Sequence, residues 1–201
     1  MWLPCLILLG VAIQFIYLAI YRIYDRPWVC QYHRTVWGAI WPFHSALTKH
    51  GSQHFFDEFS ISHFGAGVGL GVIALLIIPC AYKEYIPMWT LVIMYCGSVI
   101  WEFWENNPDV LDHAWDDFNP RVKASVGGET IVNSDTDIWL AFFGALITTV
   151  YLGWIFGLLL FVGLEFLTLA TIRECLTLDV FLFLCPMHSS VRLAIRKWQG
   201  S

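Results

Sequence analysis

The chain reads as an all-α fold, a polytopic transmembrane helical bundle of about five spans, and three observations say so. Of its 201 residues 58% are hydrophobic and only 13% charged, and the mean hydropathy is +0.62, too apolar and too charge-poor for a soluble domain of this length. Apolar windows of about 20 residues, the length that crosses roughly 30 Å of hydrocarbon, recur along the sequence. Basic residues gather on one side of the topology those windows generate. Residues 1–201 then make one integral membrane domain, with no room for a soluble domain of usual size.

The first window, 3–22, begins with Met1-Trp2-Leu3-Pro4-Cys5. It lacks the basic start and small-residue cleavage site of a removable signal, so it reads as a retained span. Tyr21, Tyr24, Trp28, Tyr32, Trp37 and Trp41 crowd its exit, as expected of rings with an apolar body and a polar edge at headgroup level; a binding groove is the alternative. The second window, 61–82, carries Gly65, Gly67, Gly69 and Gly71. Gly65 and Gly69, four apart, let helix backbones approach closely, whereas a nucleotide loop would need a strand and a soluble phosphate cradle. The third is 87–106. The fourth and fifth, 136–152 and 153–172, run together with only Gly153-Trp154 as a break. One long helix is the alternative there, and it would put Asp137 and Glu165 on opposite sides.

Alternating the direction of the spans places Arg22, Arg26, Arg34, Lys49, Arg121, Lys123, Arg173, Arg192, Arg196 and Lys197 on one face and Lys83 alone on the other. By the positive-inside rule the basic face is the cytoplasm or the mitochondrial matrix, with the N-terminus outside and the C-terminus inside. In the tail, the run Leu178 to Leu184 is too short to span. Val191, Leu193, Ile195 and Trp198 alternate with Arg192, Arg196 and Lys197, which suits an interfacial segment.

That same face receives His63, then Glu102, Glu105 and Asn106, then Asn133 and Asp137, then Glu165 and Arg173. A charge at a helix centre costs on the order of 2.5 to 3.5 kcal/mol by insertion scales, so such groups are expected to meet. Glu102, Glu105 and Asn106 share one helical face over a single turn; two carboxylates so close in dry surroundings share a proton or are neutralised by a cation. Oxygen ligands with one imidazole suit a divalent cation held by His63, Glu102, Glu105 and Asp137. An internally paired network closed by Arg173, or a docked phospholipid headgroup, are the other readings.

The functional expectation is a non-catalytic membrane component that binds a cation or lipid headgroup. The alternative is a membrane-embedded metal-dependent hydrolase or transferase acting on lipid. No Gly-x-Ser-x-Gly elbow, His-Glu-x-x-His pair, paired His boxes or phosphate-binding Lys-x-x-x-x-x-x-Arg-Pro run appears, so an enzyme would rest on the acidic cluster alone. Asp109, Asp112, Asp116 and Asp117 make the loop 107–135 acidic, either a solvated cover or a cation-attracting mouth. Cys5, Cys30, Cys80, Cys96, Cys175 and Cys185 form no Cys-x-x-Cys pair, which argues against a disulfide or zinc framework and for small buried apolar residues. The formal charge of -5 says little about partners, because the acids sit mostly in the membrane-flanking loop and at span ends, and nucleic acid is not an expected ligand.

Particular strings, in order, carry a resemblance: Ser52-Gln53-His54, Ser62-His63, Trp101-Glu102, Glu105-Asn106-Asn107-Pro108, Thr130-Ile131-Val132-Asn133-Ser134 with Asp137, Glu165, Ile172-Arg173, Leu176-Thr177-Leu178 and Trp198-Gln199-Gly200. From about Ser52 to the C-terminus the chain resembles a family of small alphaproteobacterial inner-membrane proteins of unknown function. It departs from that family's pattern at Glu129-Thr130 and Glu174-Cys175. The resemblance implies the bacterial plasma membrane or, in a eukaryote, the mitochondrial inner membrane. There, such a protein would sit among lipids and other membrane-protein subunits, as an accessory subunit of a respiratory-chain or ATP-synthase assembly.

Overall fold

The computed structural model describes residues 2–21, 27–32, 37, 53–105 and 130–171. The regular elements among them are helical: α1 (Trp2–Tyr21), α2 (Glu58–Ile77), a 3-10 segment (Cys80–Tyr85), α3 (Ile86–Glu105), α4 (Ile131–Leu146) continuing as a π-helical segment (Ile147–Leu152), and α5 (Gly153–Thr171). Three stretches are long and apolar enough to cross a membrane: Phe59–Ile77, Tyr82–Trp104 and Ile131–Thr168. The interfacial tail, the acidic loop 107–129 and most of the basic loop after α1 lie outside the described residues.

Capping, rather than hydropathy, sets where the helices begin. The Asp57 carboxylate accepts from the Phe59 and Ser60 amides at 2.9 and 3.2 Å, and the Ser60 hydroxyl accepts from the Asp57 amide at 3.2 Å. This reciprocal box starts α2 at Glu58, three residues ahead of the apolar window. The helix ends at Ile77, short of the expected Tyr82, because Pro79 cannot continue it and the chain tightens into the 3-10 turn. Thr130 caps α4 by accepting from the Asn133 amide at 3.2 Å, and the carbonyls of Pro27 and Trp28 take the Ile131 and Val132 amides at 3.0 and 3.3 Å. Three first-turn donors are thereby satisfied. The helix starts five residues before the window 136–152, so Asn133, Ser134 and Asp135 are helical residues rather than loop.

The 38-residue stretch Ile131–Thr168 is folded in two. Thr148 and Thr149 donate to the carbonyls of Gly144 and Ala145 at 2.9 and 2.7 Å, the ladder widens to π spacing, and Gly153 adopts φ 70°, ψ 178°. That backbone conformation is essentially confined to glycine. Beyond it α5 runs back along α2, with Gly157 against Val72 and Thr148 and the Phe161 ring against Gly69. α2 and α4 run parallel and form the most intimate pair. They approach closely at Gly67 and Gly144: a Cβ on Gly67 would collide with the Ala141 carbonyl and one on Gly144 with that of Phe64, while Gly69, one of the two expected close-packing glycines, lies tight against Phe161 of α5.

The core joins Tyr17, Leu91, Tyr95, Ile131, Ile138, Phe142 and Ala145. On α3 the buried stripe Leu91, Tyr95, Ser98, Glu102 follows helical spacing and faces the bundle. Outward rows such as Ile155, Phe156, Leu159, Val162 and Phe166 on α5 are exposed, as suits contact with hydrocarbon. Of the described cysteine side chains, Cys30 is buried, but Cys5 and Cys96 are exposed, contrary to the expectation of burial: a thiol is apolar enough to face lipid.

Candidate functional site

Because α2 and α4 are parallel and α3 is antiparallel to both, the start of α2, the end of α3 and the start of α4 arrive at one end of the bundle. His63 stands six residues beyond the Asp57 cap, Glu102 in the last turn of α3, and Asp137 seven residues beyond Thr130. His63 Nδ1 lies 3.7 Å from Glu102 Oε1, and Nε2 lies 3.8 Å from Asp137 Oδ2. One ligand atom from each of the three lies within 4.8 Å of the others. Glu102 and Asp137 have no solvent exposure at all, whereas the His63 side chain is 16% exposed and forms the cluster's edge.

Further polar groups hold these side chains. The Ser134 hydroxyl donates to Glu102 Oε2 at 2.6 Å. With that proton committed, the Tyr17 hydroxyl donates to Ser134 Oγ, bringing α1 into the same network. The Tyr17 ring rests on Phe103, centroids 5.2 Å apart. Asn133, fully buried one turn before Asp137, donates Nδ2 to the His54 carbonyl at 2.8 Å and so ties the segment leading into α2 to α4. Deeper in the bundle the Tyr95 hydroxyl approaches Gln14 Oε1 at 2.6 Å and the Gly10 carbonyl at 2.8 Å.

Two fully buried carboxylates against one imidazole call for positive charge, because burial in a low-dielectric setting penalises unbalanced ions. Among the described residues the only Lys or Arg is Lys83, in the 3-10 segment at the opposite end. Protons shared over the cluster and a bound cation are two ways in which such a group is balanced.

Of the four candidate metal ligands, the fold brings His63, Glu102 and Asp137 together. Glu105 is the last residue of α3, and its side chain lies outside the described residues, as do Asn106 and Arg173. Glu165 is partly buried on α5, one turn beyond Phe161 toward the cluster, and is not among the three. Tyr17, Ser134, His54 and Asp57 belong to the buried polar end of the bundle and were not named as site residues from the sequence, although His54 and Ser134 stand in the strings that carry the resemblance. For Tyr17 the available signal was the stripe Gly10, Gln14, Tyr17 on one face of an otherwise apolar helix.

The fold and cluster together define a class: an all-helical protein with apolar helices of membrane-crossing length, built around a buried imidazole–carboxylate group. The chain belongs to the family described as protein of unknown function DUF2585, whose model matches residues 9–201. It is similar to a UPF0314 protein of the alphaproteobacterium Novosphingobium aromaticivorans, 27% identical over 157 residues that cover 74% of this chain and 71% of the relative. No solved structure matches.

Proposed function

We propose that this chain is an integral membrane protein that holds a divalent cation between α2, α3 and α4, near one membrane face. The observation that carries the reading is the convergence of an imidazole nitrogen and two carboxylate oxygens, from three different helices, within 4.8 Å. An imidazole binds an ion through one nitrogen, so the ligand set is one His63 nitrogen and one oxygen from each carboxylate, within 4.8 Å of one another, and ligands held at about 2.0 to 2.6 Å from a shared ion stand roughly 3 to 5 Å apart. Two carboxylates balance a double positive charge. The ion fastens three helices at one point, a structural and regulatory role that requires no reaction.

In the membrane the site face is the cytoplasmic one, with five spans, the N-terminus outside and the C-terminus inside; the basic residues beyond the described segments support that orientation. The bacterial relative favours a bacterial plasma membrane. Acting without chemistry of its own, the protein works alongside other membrane-protein subunits, which co-migration in mild detergent tests. Purified protein is expected to carry about one divalent ion per chain by plasma mass spectrometry, lost in Glu102→Gln and Asp137→Asn. A folded wild-type protein with no metal would refute the proposal, and metal-dependent turnover of phospholipid would replace it with the enzyme reading.

A further inference from the structure

We infer that Asn133 supplies a fourth ligand, its side-chain oxygen, so that the site presents three oxygens and one nitrogen and prefers a hard cation of the manganese(II) and magnesium class. This rests on the cation reading above. The Asn133 side chain has its orientation decided by chemistry: a main-chain carbonyl only accepts, so the group bonded to the His54 oxygen at 2.8 Å is the NH2, and the amide oxygen points the other way. That oxygen is completely buried and has no hydrogen-bond partner among the described residues. Burying an unpaired amide carbonyl costs about 1–3 kcal/mol, so the arrangement calls for a ligand there.

Position supplies the rest. Asn133 and Asp137 are four residues apart on α4, where Cβ atoms stand about 5–6 Å from one another, enough for their oxygens to share an ion. Both lie on the α4 face that meets α2, the same face on which Asp137 approaches His63. Amide and carboxylate oxygens favour manganese and magnesium, whereas a single imidazole is a thin nitrogen complement for zinc.

Equilibrium dialysis of full-length protein in mild detergent, with manganese chloride and separately with zinc chloride, tests this. Asn133→Leu is expected to weaken manganese binding by on the order of tenfold or more, the scale of losing a supporting group at a metal site. Zinc binding should fall less, and Asn133→Asp, which keeps the oxygen while losing the donor to His54, should bind manganese at least as tightly as wild type. Unchanged manganese affinity in Asn133→Leu, alongside loss in Glu102→Gln, overturns this inference and leaves the three-ligand site standing. Equal loss of manganese in Asn133→Asp and Asn133→Leu also overturns it, since the side chain would then act only through the His54 bond. Wild-type protein that takes up neither ion overturns both.

Discussion

Replacing Ser134 by alanine tests whether α1 is locked to the cluster by hydrogen bonding. The substitution removes the donor held 2.6 Å from the Glu102 carboxylate and the acceptor used by the Tyr17 hydroxyl, at positions with at most 1% exposure. In water-soluble proteins a bond to a charged group contributes about 1.5–3 kcal/mol and a neutral one about 0.5–1.5, so the pair would sum to roughly 2–4.5. Helices unfolded within a membrane still find polar partners, which brings the measured mean down to about 0.6 kcal/mol per bond with a maximum near 1.7. The membrane scale governs here, and Ser134→Ala is expected to cost about 1–3 kcal/mol. Tyr17→Phe removes one of the two bonds and should cost about 0.5–1 kcal/mol in the wild-type background and less once Ser134 is alanine. Reversible unfolding in mixed micelles, titrated with a denaturing detergent, reads all four corners of this cycle. Strict additivity of the two substitutions, or a Ser134→Ala protein as stable as wild type, would refute the reasoning.

Other outcomes follow from the same geometry. Gly67→Ala forces α2 away from the Ala141 carbonyl and should lower stability by about 1–3 kcal/mol, whereas Gly97→Ala, whose added carbon meets nothing within 4 Å, should be neutral or slightly stabilising in the same thermal melt. Gly153→Ala places a side chain at φ 70° and should cost about 1–3 kcal/mol, detected as a loosened α4–α5 hairpin by proteolysis at the turn. Stripping the ion with a chelator should lower the melting temperature, by an amount equivalent to about 2.7 kcal/mol if the ion had been at a hundred times its dissociation constant. Glu102→Gln should show no chelator effect, and an identical shift in both proteins would count against the site.

The helical, apolar character was legible because hydropathy over a 20-residue window is a sum that no single residue can upset. The edges were not. Asp57 and Thr130 start their helices through local side-chain caps, and a hydropathy window discards the polar residues such caps recruit; Asn133, Ser134 and Asp135 were set outside the fourth span for that reason. His63, Glu102 and Asp137 stood out as ionisable groups in apolar surroundings. Their convergence depended on α2 and α4 being parallel and α3 antiparallel, a consequence of chain direction that the spacing of windows already contained. Ser134 and Tyr17 were hidden because a hydroxyl in a membrane helix usually bonds its own backbone, as Thr136, Thr148 and Thr168 do here. Glycine was read correctly as a close-packing residue, and Gly69 lies tight against Phe161, but which glycine meets which helix depends on the rotation of the helices about their axes, and that put Gly67 and Gly144 at the contact of α2 with α4.

The central claim is that one imidazole and two carboxylates from three helices surround a cation. Pulsed electron paramagnetic resonance of the manganese-loaded protein in detergent measures this directly, since a coordinated imidazole nitrogen modulates the electron spin echo. A single nitrogen coupling that disappears in His63→Gln and survives in His54→Gln is the predicted result. A manganese signal with no nitrogen coupling, or one indifferent to His63, would contradict the account.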